Sequence, residues 1–213
     1  LQRQFVACVD ASNMADNLRC APWTAHQVRQ RVGACLIQEA VARARRLNLP
    51  KVICVSLDDS LEAKDKATRH LEAVDWYHDH VESSKSQPRY QNGFVYLVCN
   101  VWIGDLAFTY TIRLYLREKT VRRLNRTRAP EQRLHFISKT HLARQILGEL
   151  QPLLPADFTV YILFDSWYAA ARSFKFNHRQ GWHTICALKS NRKLNGQRLD
   201  QLELAQRHQR YTP

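Results

Sequence analysis

The sequence predicts an α/β domain built on a mixed sheet, in the element order βββαβαβ, and three observations carry that prediction. From 106 to 117, Leu106, Phe108, Tyr110, Ile112, Leu114 and Leu116 alternate with Ala107, Thr109, Thr111, Arg113, Tyr115 and Arg117, the period of two that a strand imposes. FVYLVCNVWI (94–103) is apolar on both faces, as a central strand is, and β-branched apolar runs recur at 51–57 and 158–164. Segments with helical spacing stand before and between these runs.

The elements follow in order. Residues 24–46 read as a helix: Pro22 and Thr24 offer a start, Val28, Val32, Leu36, Ile37 and Val41 recur at helical spacing, and Asn48 and Pro50 mark the exit. Residues 51–57 form the first strand. A long polar stretch then runs to Asn92 and Gly93, more than a compact domain needs for a connection, so it is expected to be functional or mobile. Gly104 and Asp105 turn 94–103 into 106–116 as a hairpin. A basic segment follows, then a helix over 139–150 with Leu142, Ile146 and Leu150 on one face, closed by Pro152 and Pro155. Residues 158–164 are a strand, 167–180 a helix ended by Gly181, and WHTICALKS (182–190) the last strand.

With 213 residues, 45% of them apolar, the chain can bury one sizeable core. It divides into an N-terminal helical segment (1–50), a core (51–199) and the start of a further region (200–213). The initial Leu1 and the closing RYTP read as ends cut from something longer. No run of about 18 apolar residues suggests a membrane span and no basic-then-apolar leader opens the chain, so a cytoplasmic protein without membrane contact is expected. Cys8, Cys20, Cys35, Cys54, Cys99 and Cys186 are scattered without zinc-site spacing and read as buried reduced thiols. His78 and His80 in WYHDHVE could ligate a metal or simply lie in a solvated loop.

The net charge is +13, concentrated in 113–133, with Arg122, Arg123 and Arg126, and in 189–198. These clusters are either solvated faces or contacts to a polyanion, for which phosphate neutralisation and counterion release supply affinity.

Two strands end in carboxylates: 51–57 runs into Asp58 and Asp59, and 158–164 into Asp165. Asp165 taken alone could be a helix N-cap. A helical crossover favours parallel pairing, and parallel neighbours would bring Asp58 and Asp165 to one sheet edge about 5 Å apart. Two carboxylates about 4 Å apart repel by about 4 kcal/mol at an effective dielectric of 20, a conflict that a divalent cation resolves. Oxygen donors with open positions suit Mg²⁺, and a pair of such ions serves phosphodiester displacement. An acidic metal site on a basic surface points to a nuclease or polynucleotidyl transferase.

In that order, VSLDDSLEAK, FVYLVCNVWIGDLAF, YILFDSWYAAARSF and ICALKSNRKLNG resemble the catalytic core of the DDE transposases of bacterial insertion sequences, the DDE superfamily endonucleases, over about residues 34–199. The resemblance implies an RNase H-like fold. It makes Asp58, followed by Asp59 and Ser60, the first catalytic Asp, with Asp59 an adjacent alternative or a turn cap. It makes Asp165, followed by Ser166, Trp167 and Tyr168, the second. It places Lys189, Asn191, Arg192 and Lys193 near DNA, either as contacts or as a solvated loop. It also implies Mg²⁺ or Mn²⁺, two ions in the complete site, double-stranded DNA of transposon ends and target as partner, and a homodimer assembled on that DNA. The family's third ligand is a Glu on a later helix. Glu203 is the nearest by type, but it follows the last strand too soon and reads as a surface helix residue, so the third acid is expected beyond residue 213.

The function expected is a transposase core that hydrolyses donor ends and joins the freed 3′-OH to target DNA, inactive here without its third acid. The alternatives are a stand-alone nuclease, which strand transfer would separate, and a non-catalytic basic DNA-binding descendant, which metal dependence would separate.

Overall fold

Thr24 starts the first long helix, α1 (Ala25–Arg46), with a capping box: its Oγ1 accepts the Gln27 N–H at 3.2 Å, and Gln27 Oε1 accepts the Thr24 N–H at 2.8 Å. Arg43, Arg45 and Arg46 in the last turn oppose the negative end of the helix dipole. The computed structural model describes residues 16, 20, 22–68, 71–79, 83–84, 86–194 and 196–206. Cys8, His80 and the closing RYTP lie outside the described residues.

Six strands form one mixed sheet: β1 (Val52–Ala63), β2 (Asp75–His78), β3 (Tyr90–Ile103), β4 (Leu106–Tyr115), β5 (Thr159–Phe164) and β6 (His183–Cys186). Their order is β2-β3-β1-β5-β6, with β4 also on β3. β3 runs antiparallel to β1, whereas β1, β5 and β6 are parallel. One edge of β3 serves both β2, at its start, and β4, along the rest. The helices are α1, α2 (Glu118–Leu124), α3 (Lys139–Leu150), α4 (Ala171–Arg179) and α5 (Leu199–Gln206), and β7 (Lys193–Leu194) pairs β8 (Gln197–Arg198) apart from the main sheet. A mixed sheet of this order flanked by helices is that of an RNase H-like core.

One face of the sheet carries Ile53, Val55, Leu57, Leu97, Val101 and Ile162, all buried against Ile37, Ala40 and Ala44 of α1 and Ile146, Leu147 and Leu150 of α3. Alternation sends Cys54, Ser56 and Asp58 to the other face, where Trp102, Ile112 and Ile185 remain exposed.

Four local expectations need correction. β1 does not stop at Leu57: β3 is 14 residues long and keeps pairing with the polar half of β1 as far as Gly93 opposite Ala63. Backbone pairing, not side-chain hydrophobicity, extends that strand, and Asp58 and Asp59 lie inside it. The same long β3 recruits β2 out of the polar stretch read as a loop. Gly93 is required there, since a Cβ would stand 2.2 Å from the Glu62 carbonyl oxygen. The helix expected from 167 begins only at Ala171, because Asp165 to Ala170 makes a turn, and the last strand is confined to β6.

Candidate active site

The parallel ladder between β1 and β5 ends at Leu57 opposite Phe164, so the next residues in register are Asp58 and Asp165. Alternation points Asp58 away from α1 and α3, while Asp165 is the first residue of the turn after β5. From there β1 continues alone, paired to β3 on one side, and its open edge borders a cleft of ≈ 530 Å³ lined by Asp58, Asp59, Lys139, Asp165, Ser166, Trp167 and Lys189.

Asp58 and Asp165 are exposed, and each uses one carboxylate oxygen locally. Asp58 Oδ1 accepts the Asp59 N–H at 2.8 Å, and Asp165 Oδ1 accepts the Trp167 N–H at 2.9 Å. The Asp165 bond closes a turn rather than capping α4, whose N-cap is Ala170 without a side-chain bond. Among the described residues, the Oδ2 atoms of Asp58 and Asp165 accept no hydrogen bond and neither carboxylate pairs with a cation. Two adjacent exposed carboxylates with an oxygen each to spare are hard donors of the kind that Mg²⁺ or Mn²⁺ takes. Among the described residues, no group of three or more His, Cys, Asp or Glu stands together as a metal holder.

Asp59 points the other way. Its Oδ1 accepts the Tyr168 hydroxyl at 2.6 Å, and its Oδ2 pairs with Lys139, the first residue of α3. Tyr168 is 1% exposed. Burial, then the bond to Asp59, then the charges of Asp59, Asp58 and Asp165, push its phenol far above the usual range, so it remains a neutral donor. The Lys139 ammonium also lies 5.4 Å from the Tyr115 ring centroid. Sequence reasoning gave Lys139 and Tyr168 no role. A signal existed for Lys139, since a cation at the first helical position opposes the dipole unless an acid answers it. For Tyr168 the signal was its place in the SWY motif after Asp165, which says nothing of its bond to Asp59.

The basic residues separate by what holds them. Lys189 lies in the cleft with Nζ 5.1 Å from the Trp167 ring centroid, and Asn191, Arg192 and Lys193 are exposed beyond it. Arg122 pairs with Glu118 at 2.6 Å, while Arg123 donates to the carbonyls of Glu72 and Val74 at 3.2 Å each, tying α2 to the chain before β2. Arg126 is exposed with no side-chain partner among the described residues. Glu203 falls on α5.

Among the described residues, Cys20, Cys35, Cys54, Cys99 and Cys186 are free thiols. Cys99 is buried, which pushes its pKa up to about 12, but Cys20 and Cys35 are exposed, contrary to expectation. No described helix is long and apolar enough to cross a membrane.

A family profile described as DDE superfamily endonuclease matches residues 9–211. Among solved structures, a chain of the piggyBac transposase synaptic complex with hairpin DNA is similar at 11% identity and a TM-score of 0.34, over 66% of this chain and 24% of that one. The present chain thus spans 24% of the length of that transposase chain. No curated protein matches.

Proposed function

The chain belongs to the DDE superfamily endonucleases, and we propose that it is the catalytic core of a DNA transposase in which Asp58 and Asp165 hold the catalytic divalent metal. The observation that carries this reading is their shared position: next in register past the end of the β1–β5 ladder, each with an oxygen to spare in a cleft that also holds Lys189. Bound there, Mg²⁺ or Mn²⁺ supplies Lewis acidity at phosphate oxygens and lowers the pKa of the attacking water.

The protein's own part is to bind and orient. Lys189, with Asn191, Arg192 and Lys193 leading out of the cleft, attracts the DNA backbone, and Arg126 extends the basic track. Asp58 lies within β1 and Asp165 opens the hydrogen-bonded turn after β5, so backbone structure holds both donors when a scissile phosphate arrives. Joining of the freed 3′-OH to target DNA, on a homodimer assembled at the transposon ends, belongs to the same proposal.

The test is nicking of supercoiled plasmid with Mg²⁺ or Mn²⁺. Asp58→Ala and Asp165→Ala each abolish nicking while retaining DNA binding, as each removes a ligand and no core volume. Nicking at the wild-type rate by either variant would refute the assignment, and joining of a 3′-OH end separates a transposase from a simple nuclease.

A further inference from the structure

Resting on the two-carboxylate reading above, we infer that Asp59, Tyr168 and Lys139 form a positioning clasp that sets the spacing of Asp58 and Asp165 where the sheet no longer does. The β1–β5 ladder ends at Leu57 opposite Phe164, one residue before each carboxylate. The cross-tie just past that point is a side-chain bond: the Tyr168 hydroxyl donates to Asp59 Oδ1 at 2.6 Å.

Asp59 is the residue after Asp58, and Tyr168 closes the turn that holds Asp165. In that turn the Tyr168 N–H donates to the Asp165 carbonyl at 3.3 Å and the Trp167 N–H to Asp165 Oδ1 at 2.9 Å. The clasp thus links the backbone of one carboxylate to the turn of the other, with Asp59 and Lys139 lining the same cleft.

Both ends of the tie are anchored. Tyr168 is packed in the core with its ring 6.5 Å from that of Phe164, and Asp59 is held by Lys139 at the start of α3. Lys139 also neutralises Asp59, so the cleft does not present a third unpaired carboxylate beside the first two. Partners that orient metal ligands in this way usually cost about 10–100-fold in metal affinity or activity when removed.

The test pairs Mn²⁺ binding by calorimetry with amide hydrogen exchange, both well below the unfolding temperature, on wild type, Tyr168→Phe and Asp59→Asn. Tyr168→Phe removes only the hydroxyl. It is expected to weaken Mn²⁺ binding by about 10–100-fold and to accelerate exchange at the Trp167 and Tyr168 amides, with the Val52–Leu57 amides unchanged. Asp59→Asn keeps an acceptor for Tyr168 but loses the Lys139 pair, so it retains a slow turn and falls between wild type and Tyr168→Phe in affinity. It serves in place of Tyr168→Phe if that variant does not fold. Unchanged affinity and unchanged turn exchange in a folded Tyr168→Phe chain would overturn the clasp. A wild-type chain that takes up no Mn²⁺ sinks the two-carboxylate reading instead, and turn exchange then decides the tie by itself.

Discussion

Replacing Asp58 by Asn should leave the metal-free chain at least as stable as wild type and remove all of its stabilisation by Mn²⁺. Asp58 is exposed, and its one hydrogen bond among the described residues, from the Asp59 N–H, is one an amide oxygen accepts equally well. Loss of contacts should therefore stay within about 0.5 kcal/mol. Against it stands relief of the repulsion with Asp165. Charges about 5 Å apart, the spacing of adjacent strands, repel by about 0.8 kcal/mol at the dielectric of water and about 3 kcal/mol at an effective dielectric of 20. Both groups face solvent, so the weaker repulsion applies. Metal binding contributes more: at 100 times its Kd, an ion that binds only the folded chain stabilises it by about 2.7 kcal/mol, or roughly 5–10 °C in Tm for a chain of this size. Calorimetric unfolding in EDTA and in Mn²⁺ measures both effects. Wild type should gain in Mn²⁺ and Asp58→Asn and Asp165→Asn should not. Asp59→Asn should instead lose about 1–3 kcal/mol without metal, because it leaves the mostly buried Lys139 without its acid. An Asp58→Asn chain that is destabilised by more than about 1 kcal/mol in EDTA, or that gains as much from Mn²⁺ as wild type, refutes the assignment of Asp58 as a ligand.

Arg126→Ala should reduce the slope of log affinity for DNA against log salt by about 0.9, whereas Arg123→Ala should chiefly lower stability, by about 1 kcal/mol, because its guanidinium is spent on the Glu72 and Val74 carbonyls; filter binding across a salt series and urea unfolding tell the two apart. Gly93→Ala should cost about 1–3 kcal/mol or more in urea unfolding, the usual penalty of overpacking, since the new methyl meets the Glu62 carbonyl, and a near-neutral result would show that β1 and β3 can shift there. Burial raises the pKa of Asp75, but the Thr120 hydroxyl, the Lys119 ammonium and the Trp76 N–H outweigh it and hold the folded value below 3.8. With the folded value below the unfolded one, this contribution is complete above about pH 4 and is lost as pH falls through the folded pKa. Asp75→Asn should therefore flatten the acid limb of the stability profile below about pH 4, and an unchanged limb counts against the network.

Much of this fold is legible locally. The bounds of α3 follow from apolar spacing and the prolines after it, the β3–β4 hairpin from Gly104, whose φ is +60°, and period-two alternation, and the start of α1 from Thr24 and its capping box. Asp58 and Asp165 stand out because each follows an apolar run, a property of the residues themselves. What the sequence left open was the choice between Asp58 and Asp59. Alternation says that they face opposite sides, but which side lies under helices depends on where α1 and α3 pack, and only the assembled sheet decides it.

The same holds for the residues whose roles differ from their sequence reading or have no counterpart in it. β1 runs through a polar stretch because β3 extends alongside it, and β2 exists because the same β3 has edge to spare; neither cause lies in the strand's own composition. Arg122 and Arg123 look alike in a basic run, yet one meets Glu118 four positions away and the other meets carbonyls far earlier in the chain. Asp59 finds Lys139 80 positions away and Tyr168 109 away. Periodicity and capping are written in neighbouring residues, so sequence alone determined α1, α3, the β3–β4 hairpin and the carboxylates that follow the apolar runs of β1 and β5. Hydrogen-bond partners across such distances are set only when the chain has folded, and it was therefore tertiary structure that gave Asp59 its bonds to Tyr168 and Lys139, left Asp58 and Asp165 each an oxygen to spare, and separated the paired from the unpaired arginines among the described residues.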